Sequence, residues 1–378
     1  MDRRPTRHWI DAACGQLPVL DGVWSRYGGR VKKAWCLALD RVGRLPPSSF
    51  VLWIATYRCN FRCPFCEAQG GNAAPGELTT AEARTFIEDL PRLGARRLLI
   101  SGGEPLMRRD MPELLDHAQR RSVTPGLLSN GFAVRERWEE IKRFRYFLFM
   151  TSLDGLKEDH DRLRGVGSFE RVLDSLDLFA SAGVGTRVVR TIVHPGNLGR
   201  LPELAACLEA TAATDWQLTP AMETGRARQQ EAYRLSATQW GEVIDLVERS
   251  RDRRRLNVEL SHAHSYLHCL KGRPGHRPSF CGAGLTRCAV MPNGDVLACG
   301  QAYDAAAPEG NIRLTPLSEI WRHGFASFRR FEQPATCHGC SFWSACQGGC
   351  WAERQIHGRC LRDALVTTSR DGDGSERS

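Results

Sequence analysis

Between residues 50 and 220, short apolar runs alternate with longer stretches whose apolar positions recur every three or four residues. That alternation predicts repeated strand–helix units around a parallel sheet. The first run, Phe50-Val51-Leu52-Trp53-Ile54-Ala55, is apolar throughout, as a strand covered on both faces must be. Five further strands are predicted over 97–100, 126–129, 146–150, 186–193 and 215–220. Thr79-Thr80-Ala81-Glu82 is a capping box that opens a helix reaching about residue 93. Helices over 110–120, 135–144, 168–182 and 198–209 complete the series. Folds of this kind gather their functional groups at the carboxyl ends of the strands.

With 378 residues, 42% of them hydrophobic, the chain has material for one large domain and a smaller one. Met1-Asp2-Arg3-Arg4 leads into a stretch broken by Asp11, Gln16, Pro18 and Asp21, so no signal peptide is expected. No apolar run approaches the length of a membrane span. Fifteen cysteines then read as metal or cluster ligands in a reducing cytoplasm, not as a disulfide scaffold. The net charge of +9 is spread over scattered arginines without interleaved aromatics, which argues against a nucleic-acid platform. A basic surface equally suits an acidic electron donor such as a flavodoxin or ferredoxin, an acidic peptide, or plain solvation.

The loop after the first strand carries Cys59, Cys63 and Cys66 in a C-x3-C-x2-C spacing. Three thiols are one short of a tetrahedral structural zinc site. An iron–sulfur cube held by three cysteines keeps one iron open to an outside molecule. After the second strand comes Ser101-Gly102-Gly103-Glu104-Pro105, whose glycines permit close approach of backbone to a ligand. Read alone, this motif is also a Gly-Gly turn with a capping carboxylate.

The two motifs together, in this order, resemble the radical S-adenosylmethionine (radical SAM) superfamily, with Phe65 as the aromatic before the last cysteine. The resemblance implies a partial (β/α)6 TIM-like barrel, an α/β fold with a lateral opening for substrate. It implies that the region of Gly102, Gly103 and Glu104 meets the methionine amino group of S-adenosylmethionine. By the same resemblance Ser129, Asn130, Ser152, Asp154 and Arg190 lie where cofactor-contacting polar groups lie. Serine and asparagine would suit a ribose, and an arginine fork a carboxylate. Ser-Asn-Gly and Leu-Asp-Gly are also ordinary turns.

A second field of cysteines begins at Cys281 and continues through Cys299, Cys337, Cys340, Cys346, Cys350 and Cys360. This order resembles the seven-cysteine SPASM extension of radical SAM enzymes. The resemblance implies two auxiliary clusters, one on Cys281, Cys299, Cys350 and the additional Cys288, the other on Cys337, Cys340, Cys346 and Cys360. Together with the first loop this would make three 4Fe–4S clusters. A pair of four-cysteine zinc sites is the alternative for the C-terminal set. Cys14, Cys36, Cys207 and Cys269 remain as small hydrophobes. In sulfatase-maturating members an aspartate follows the position of Cys299; here Gly300 stands there, so that base is missing unless Asp304 or another acid replaces it.

The expected plan is an N-terminal helical extension over 1–48, a radical SAM core over 49–222, a helical bridge without motif over 223–280, a SPASM domain over 281–362 and a disordered tail over 363–378. The expected activity is reductive cleavage of S-adenosylmethionine and hydrogen abstraction from a substrate carbon, in modification of a peptide or protein. Modification of a small metabolite, sugar-derived or tetrapyrrole, and a noncatalytic iron–sulfur or zinc protein are the other readings.

Overall fold

A computed structural model describes residues 33–41, 50–228, 230–250, 255–261, 281–301, 307–330 and 332–357. Six parallel strands run in chain order through one sheet: β1 (Phe50–Ile54), β2 (Arg97–Ser101), β3 (Thr124–Leu128), β4 (Phe149–Ser152), β5 (Arg187–Val193) and β6 (Asp215–Pro220). The intervening helices are α1 (Thr80–Leu93), α2 (Met111–Arg120), α3 (Val134–Ile141), α4 (Lys157–Arg164), α5 (Ser168–Ser181) and α6 (Leu201–Glu209). Alternate strand residues, among them Val51, Trp53, Leu98, Ile100, Val189 and Trp216, join Phe86, Leu90, Leu114 and Phe179 of the helices in one buried core. On the other face Phe50, Leu99, Leu148, Met150 and Val188 form a smaller plug.

The expected capping box opens α1: Glu82 N–H donates to the Thr79 hydroxyl and Thr79 N–H donates to the Glu82 carboxylate. Helix α4 has no counterpart in the predicted elements. Its sequence, KEDHDRLR, buries only His160, so it lacks the apolar stripe by which an amphipathic helix is recognised.

The sheet extends beyond six strands on both sides. β7 (Asn257–Leu260) pairs parallel with β6, and β8 (Arg287–Val290) pairs parallel with β1. Two short antiparallel strands, β9 (Asp295–Leu297) and β10 (Gly310–Asn311), finish a ten-stranded order β10-β9-β8-β1-β2-β3-β4-β5-β6-β7. The stretch expected to be a helical bridge therefore holds a strand besides α7 (Ala237–Arg249). Four residues of alternation, with Val258 and Leu260 buried, are too few to stand out next to the charged run at 251–255. The expected auxiliary domain likewise shares the core sheet through β8.

Arg313 fastens this C-terminal segment to α1. It bonds both Glu82 carboxylate oxygens, at 2.6 and 3.2 Å, and the carbonyls of Gly76 and Asn293. Ser318, on α8 (Leu317–His323), donates through N–H and hydroxyl to the buried Asp89 of α1. Of the N-terminal extension, residues 33–41 are described and form a helix whose Cys36 is buried against Leu285. Cys14, Cys269, Asp304, Cys360 and the tail lie outside the described residues.

Candidate functional site

Cys59, Cys63 and Cys66 sit on the β1–α1 loop, at the carboxyl end of the sheet where β2, β3 and β5 also deliver their terminal residues. The loop is tied down along its length. Cys59 N–H donates to the Gly71 carbonyl and Gly71 N–H to that of Tyr57, both within 2.9 Å. Glu77 accepts from the Thr56 hydroxyl, Tyr57 N–H and Ala74 N–H, so one carboxylate fixes the loop's entry and exit.

Gly102 and Gly103 are needed where the β2 turn meets the cysteine loop. A Cβ on Gly102 would meet the Thr56 carbonyl oxygen at 2.6 Å, and one on Gly103 the Tyr57 and Arg58 carbonyl oxygens at 2.6 and 2.5 Å. Gly103 N–H and Glu104 N–H donate to Thr56 and Arg58 carbonyls, each at 2.8 Å. The missing side chains thus let the β2 turn lie flat on the cysteine loop.

Glu104 has no exposed surface, and its carboxylate accepts from Leu106 N–H, the Ser129 hydroxyl and Asn130 N–H, at 2.8 to 3.0 Å. Burial outweighs these donors and pushes its pKa up to about 7. The Ser129 hydroxyl donates to Glu104. Asn130 reaches back to the loop, donating from Nδ2 to Asn60 at 2.8 Å and towards Cys59 Sγ at 3.9 Å. Phe61 N–H gives the same sulfur a second donor at 3.4 Å. In the metal-free chain burial still raises the Cys59 thiol to about 11.

Ser152 and Arg190 are partners in the β4–β5 register, and Gln217 and Glu259 continue the row across β6 and β7. Arg190 Nε donates to Gln217 at 3.0 Å, and Gln217 donates to Glu259 at 3.4 Å. Asp154 is fully buried and engaged by the Arg164 guanidinium and Ile192 N–H. Phe65 is buried between Tyr233, His194 and the Arg164 guanidinium, all within 6.0 Å.

A strap that motif reading passes over follows β6. Arg226 donates to the carbonyls of Cys63 and Gly70 at 2.7 and 2.9 Å, its N–H reaches the Cys66 carbonyl, and Gln230 reaches that of Pro64. Gly225, at φ +54°, has no room for a Cβ beneath the Cys66 and Glu67 carbonyls. Thr224-Gly225-Arg226 falls in the stretch expected to be a helical bridge without motif, because its partners lie more than 150 residues away.

In the C-terminal field Cys281 and Cys299 are electrostatic neighbours, and Cys299 packs with Cys350 and Met222. Cys288 lies on β8 beside Val51, buried, with Arg329 as its charged neighbour; burial lifts its thiol to about 12. Gly300 sits against Leu52 of β1, where a Cβ would collide.

Among the described residues no three His, Cys, Asp or Glu side chains close tightly around a single metal ion. The β1–α1 donors are thiols alone, electrostatically coupled to one another, and Cys59 is bonded from outside by N–H groups. That chemistry suits iron–sulfur ligation, in which hydrogen bonds to sulfur tune the cluster.

Comparison with known proteins agrees with this chemistry. The Radical SAM superfamily profile matches residues 53–205, and that of an iron–sulfur cluster-binding domain, SPASM, matches 281–341. Mycofactocin maturase MftC of Mycolicibacterium smegmatis is 30% identical over 314 residues, 81% of this chain and 79% of the relative. An AdoMet-dependent heme synthase of Oleidesulfovibrio alaskensis is 28% identical, over 81% of this chain and 83% of its own. Among solved structures, Streptococcus suis SuiB bound to S-adenosylmethionine superposes with a TM-score of 0.67 at 17% identity, over 84% of this chain and 77% of SuiB. Native anSMEcpe with bound AdoMet gives 0.67 and 17%, over 85% and 94%. Among the described residues no helix is long and apolar enough to cross a membrane. The chain is a radical SAM enzyme with iron–sulfur and S-adenosylmethionine chemistry, and belongs to the radical SAM superfamily's SPASM-containing branch.

Proposed function

We propose that the chain matures a peptide or protein, and that Cys59, Cys63 and Cys66 hold the cluster that takes S-adenosylmethionine. When bound, these groups supply a 5′-deoxyadenosyl radical able to take hydrogen from an unactivated substrate carbon. The protein's part is placement. The Glu77 and Arg226 ties hold the loop rigid, and Glu104 locks the Ser129–Asn130 turn against it. Arg190, bonded among the described residues through Nε to Gln217, presents the rest of its fork to a carboxylate. Phe65, Gly102, Gly103, Ser152 and Asp154 complete the proposed cofactor surroundings, by packing and positioning as much as by contact.

The carrying observation is the thiol loop seated at the carboxyl end of the sheet. The mycofactocin maturases and the peptide-bound structures of SuiB and anSMEcpe support a peptide substrate. The heme synthase relatives support a tetrapyrrole as the second reading. Cys281, Cys288, Cys299 and Cys350, with Cys337, Cys340, Cys346 and Cys360, are the proposed auxiliary ligands, giving three clusters that exchange electrons with a flavodoxin- or ferredoxin-like donor in a reducing compartment. About 12 irons per chain are then expected after anaerobic reconstitution, falling to about 8 when Cys59, Cys63 and Cys66 are all replaced by Ala. The replaced chain should form no 5′-deoxyadenosine with dithionite. Undiminished formation would refute the assignment. Deuterium passing from a labelled peptide into 5′-deoxyadenosine supports the peptide reading, and passage only from a labelled porphyrin overturns it.

A further inference from the structure

Cys63 and Cys66 share their end of the loop with a fixed positive charge. Arg164, the last residue of α4, keeps only 11% of its side chain exposed and is paired with Asp154, which has none exposed. The guanidinium carbon stands 5.6 Å from the centre of the Phe65 ring, which lies between the two cysteines in sequence. The next residue, Gly165, presses on Phe61 of the same loop, where a Cβ would come within 3.1 Å of the ring. The end of α4 is therefore built against the cysteine loop on both sides of Cys63. Burial loosens Arg164's hold on its proton, but the negative charges of Asp154, Cys63 and Cys66 more than offset it and keep the guanidinium charged. Asp154 also accepts Ile192 N–H, so it is anchored to β5 and holds the guanidinium in place.

We infer that Arg164 is a positioning residue that raises the electron affinity of the cluster held by Cys59, Cys63 and Cys66, with Asp154 as the counter-ion that limits the effect. The inference rests on the cluster assignment proposed above. One-electron reduction adds negative charge beside a cation in a poorly solvated site, and the cation favours the reduced form. Asp154, paired with the guanidinium, opposes it. Neither residue ligates iron, so both can be neutralised while all three thiols stay.

The test is an anaerobic redox titration of the full, reconstituted chain, following by electron paramagnetic resonance the signal that changes on adding S-adenosylmethionine. R164Q should lower the ratio of reduced to oxidised cluster at a given potential at least tenfold, about 59 mV for a one-electron couple. D154N should shift the same signal the opposite way. A merely structural role would move both variants in one direction, and that result, or two unmoved potentials with iron content intact, overturns the inference while leaving the cluster assignment standing. Should R164Q fail to load the first cluster, R164K decides: restored loading supports a role for charge, and continued failure overturns it. A wild-type chain without iron on the first loop would instead overturn the cluster assignment itself.

Discussion

Replacing Gly225 by Ala should empty the first cysteine loop of iron while leaving the rest of the fold in place. Gly225 holds φ +54°, a region that costs a side-chain-bearing residue about 1–2 kcal/mol. Its Cβ would lie 2.5 Å from the Glu67 carbonyl oxygen and closer still to that of Cys66, both backbone atoms that cannot rotate aside. An ordinary carbon–oxygen contact needs about 3.3 Å. Strap and loop must therefore part by nearly 1 Å, with an overpacking cost of about 1–3 kcal/mol. The sum, about 2–5 kcal/mol, corresponds to roughly 30-fold to several-thousand-fold against the joined geometry. Release of the strap relieves it, with loss of the Arg226 bonds to Cys63 and Gly70. The assay is iron and sulfide per chain after anaerobic reconstitution, with 5′-deoxyadenosine formation measured alongside. Gly183→Ala is the control: φ is +75° there, with no atom within 4 Å of the added Cβ, so it carries the backbone strain without the collision. Full loading and cleavage in Gly225→Ala, equal to the control, would refute the reasoning.

The remaining predictions concern Glu104 and Arg313. Because burial lifts Glu104 from its ordinary 4.5 to about 7, the folded chain keeps a proton the unfolded chain has released between those values. Stability of the metal-free chain should then fall as pH rises from about 4.5 to about 7, by roughly 3 kcal/mol from this group. Glu104→Gln should remove that share of the slope in urea titrations; an unchanged slope refutes the prediction. Arg313→Ala should weaken the tie between α1 and the C-terminal strands by about 1 kcal/mol, discounted because the Glu82 pair is solvent-screened. Hydrogen bonding from Arg313 depresses the Glu82 carboxyl to about 2, so the deficit should be complete at neutral pH and shrink as pH falls from about 4.5 towards 2. Faster proteolysis between residues 290 and 320 would report the loss, and identical cleavage and melting in both chains would count against it.

The motifs that could be read along the chain were those in which neighbours in sequence act together. Cys59, Cys63 and Cys66 share one loop, and Thr79 with Glu82 closes one turn of helix, so both stood out before any fold was known. Residues whose partners are remote did not. Arg226 is an ordinary arginine until β6 brings it under Cys63, and Arg164 ends a helix so polar that no periodicity marked it. Glu77 belongs to no motif, yet it bonds the backbone of Tyr57. The glycines of the Ser101–Pro105 turn were legible as a place of close approach, but spacing does not show that the Thr56, Tyr57 and Arg58 backbone is one surface they approach. β7 and β8 escaped because four-residue strands carry too little pattern to be told from loops.

The pairing of β8 with β1 also orders events during synthesis. β1 is complete once residue 54 has been made, and β2 covers one of its edges soon after, but its other edge waits for Arg287–Val290. At roughly 5–20 residues per second the ribosome needs about ten to fifty seconds to supply that stretch. For that time the nascent core presents an apolar, unpaired strand edge next to three reduced thiols, an invitation to aggregation and premature oxidation. The last quarter of the chain is thus a cover for the first strand as well as a bearer of cysteines, and truncation before residue 287 should yield insoluble protein whatever its iron supply.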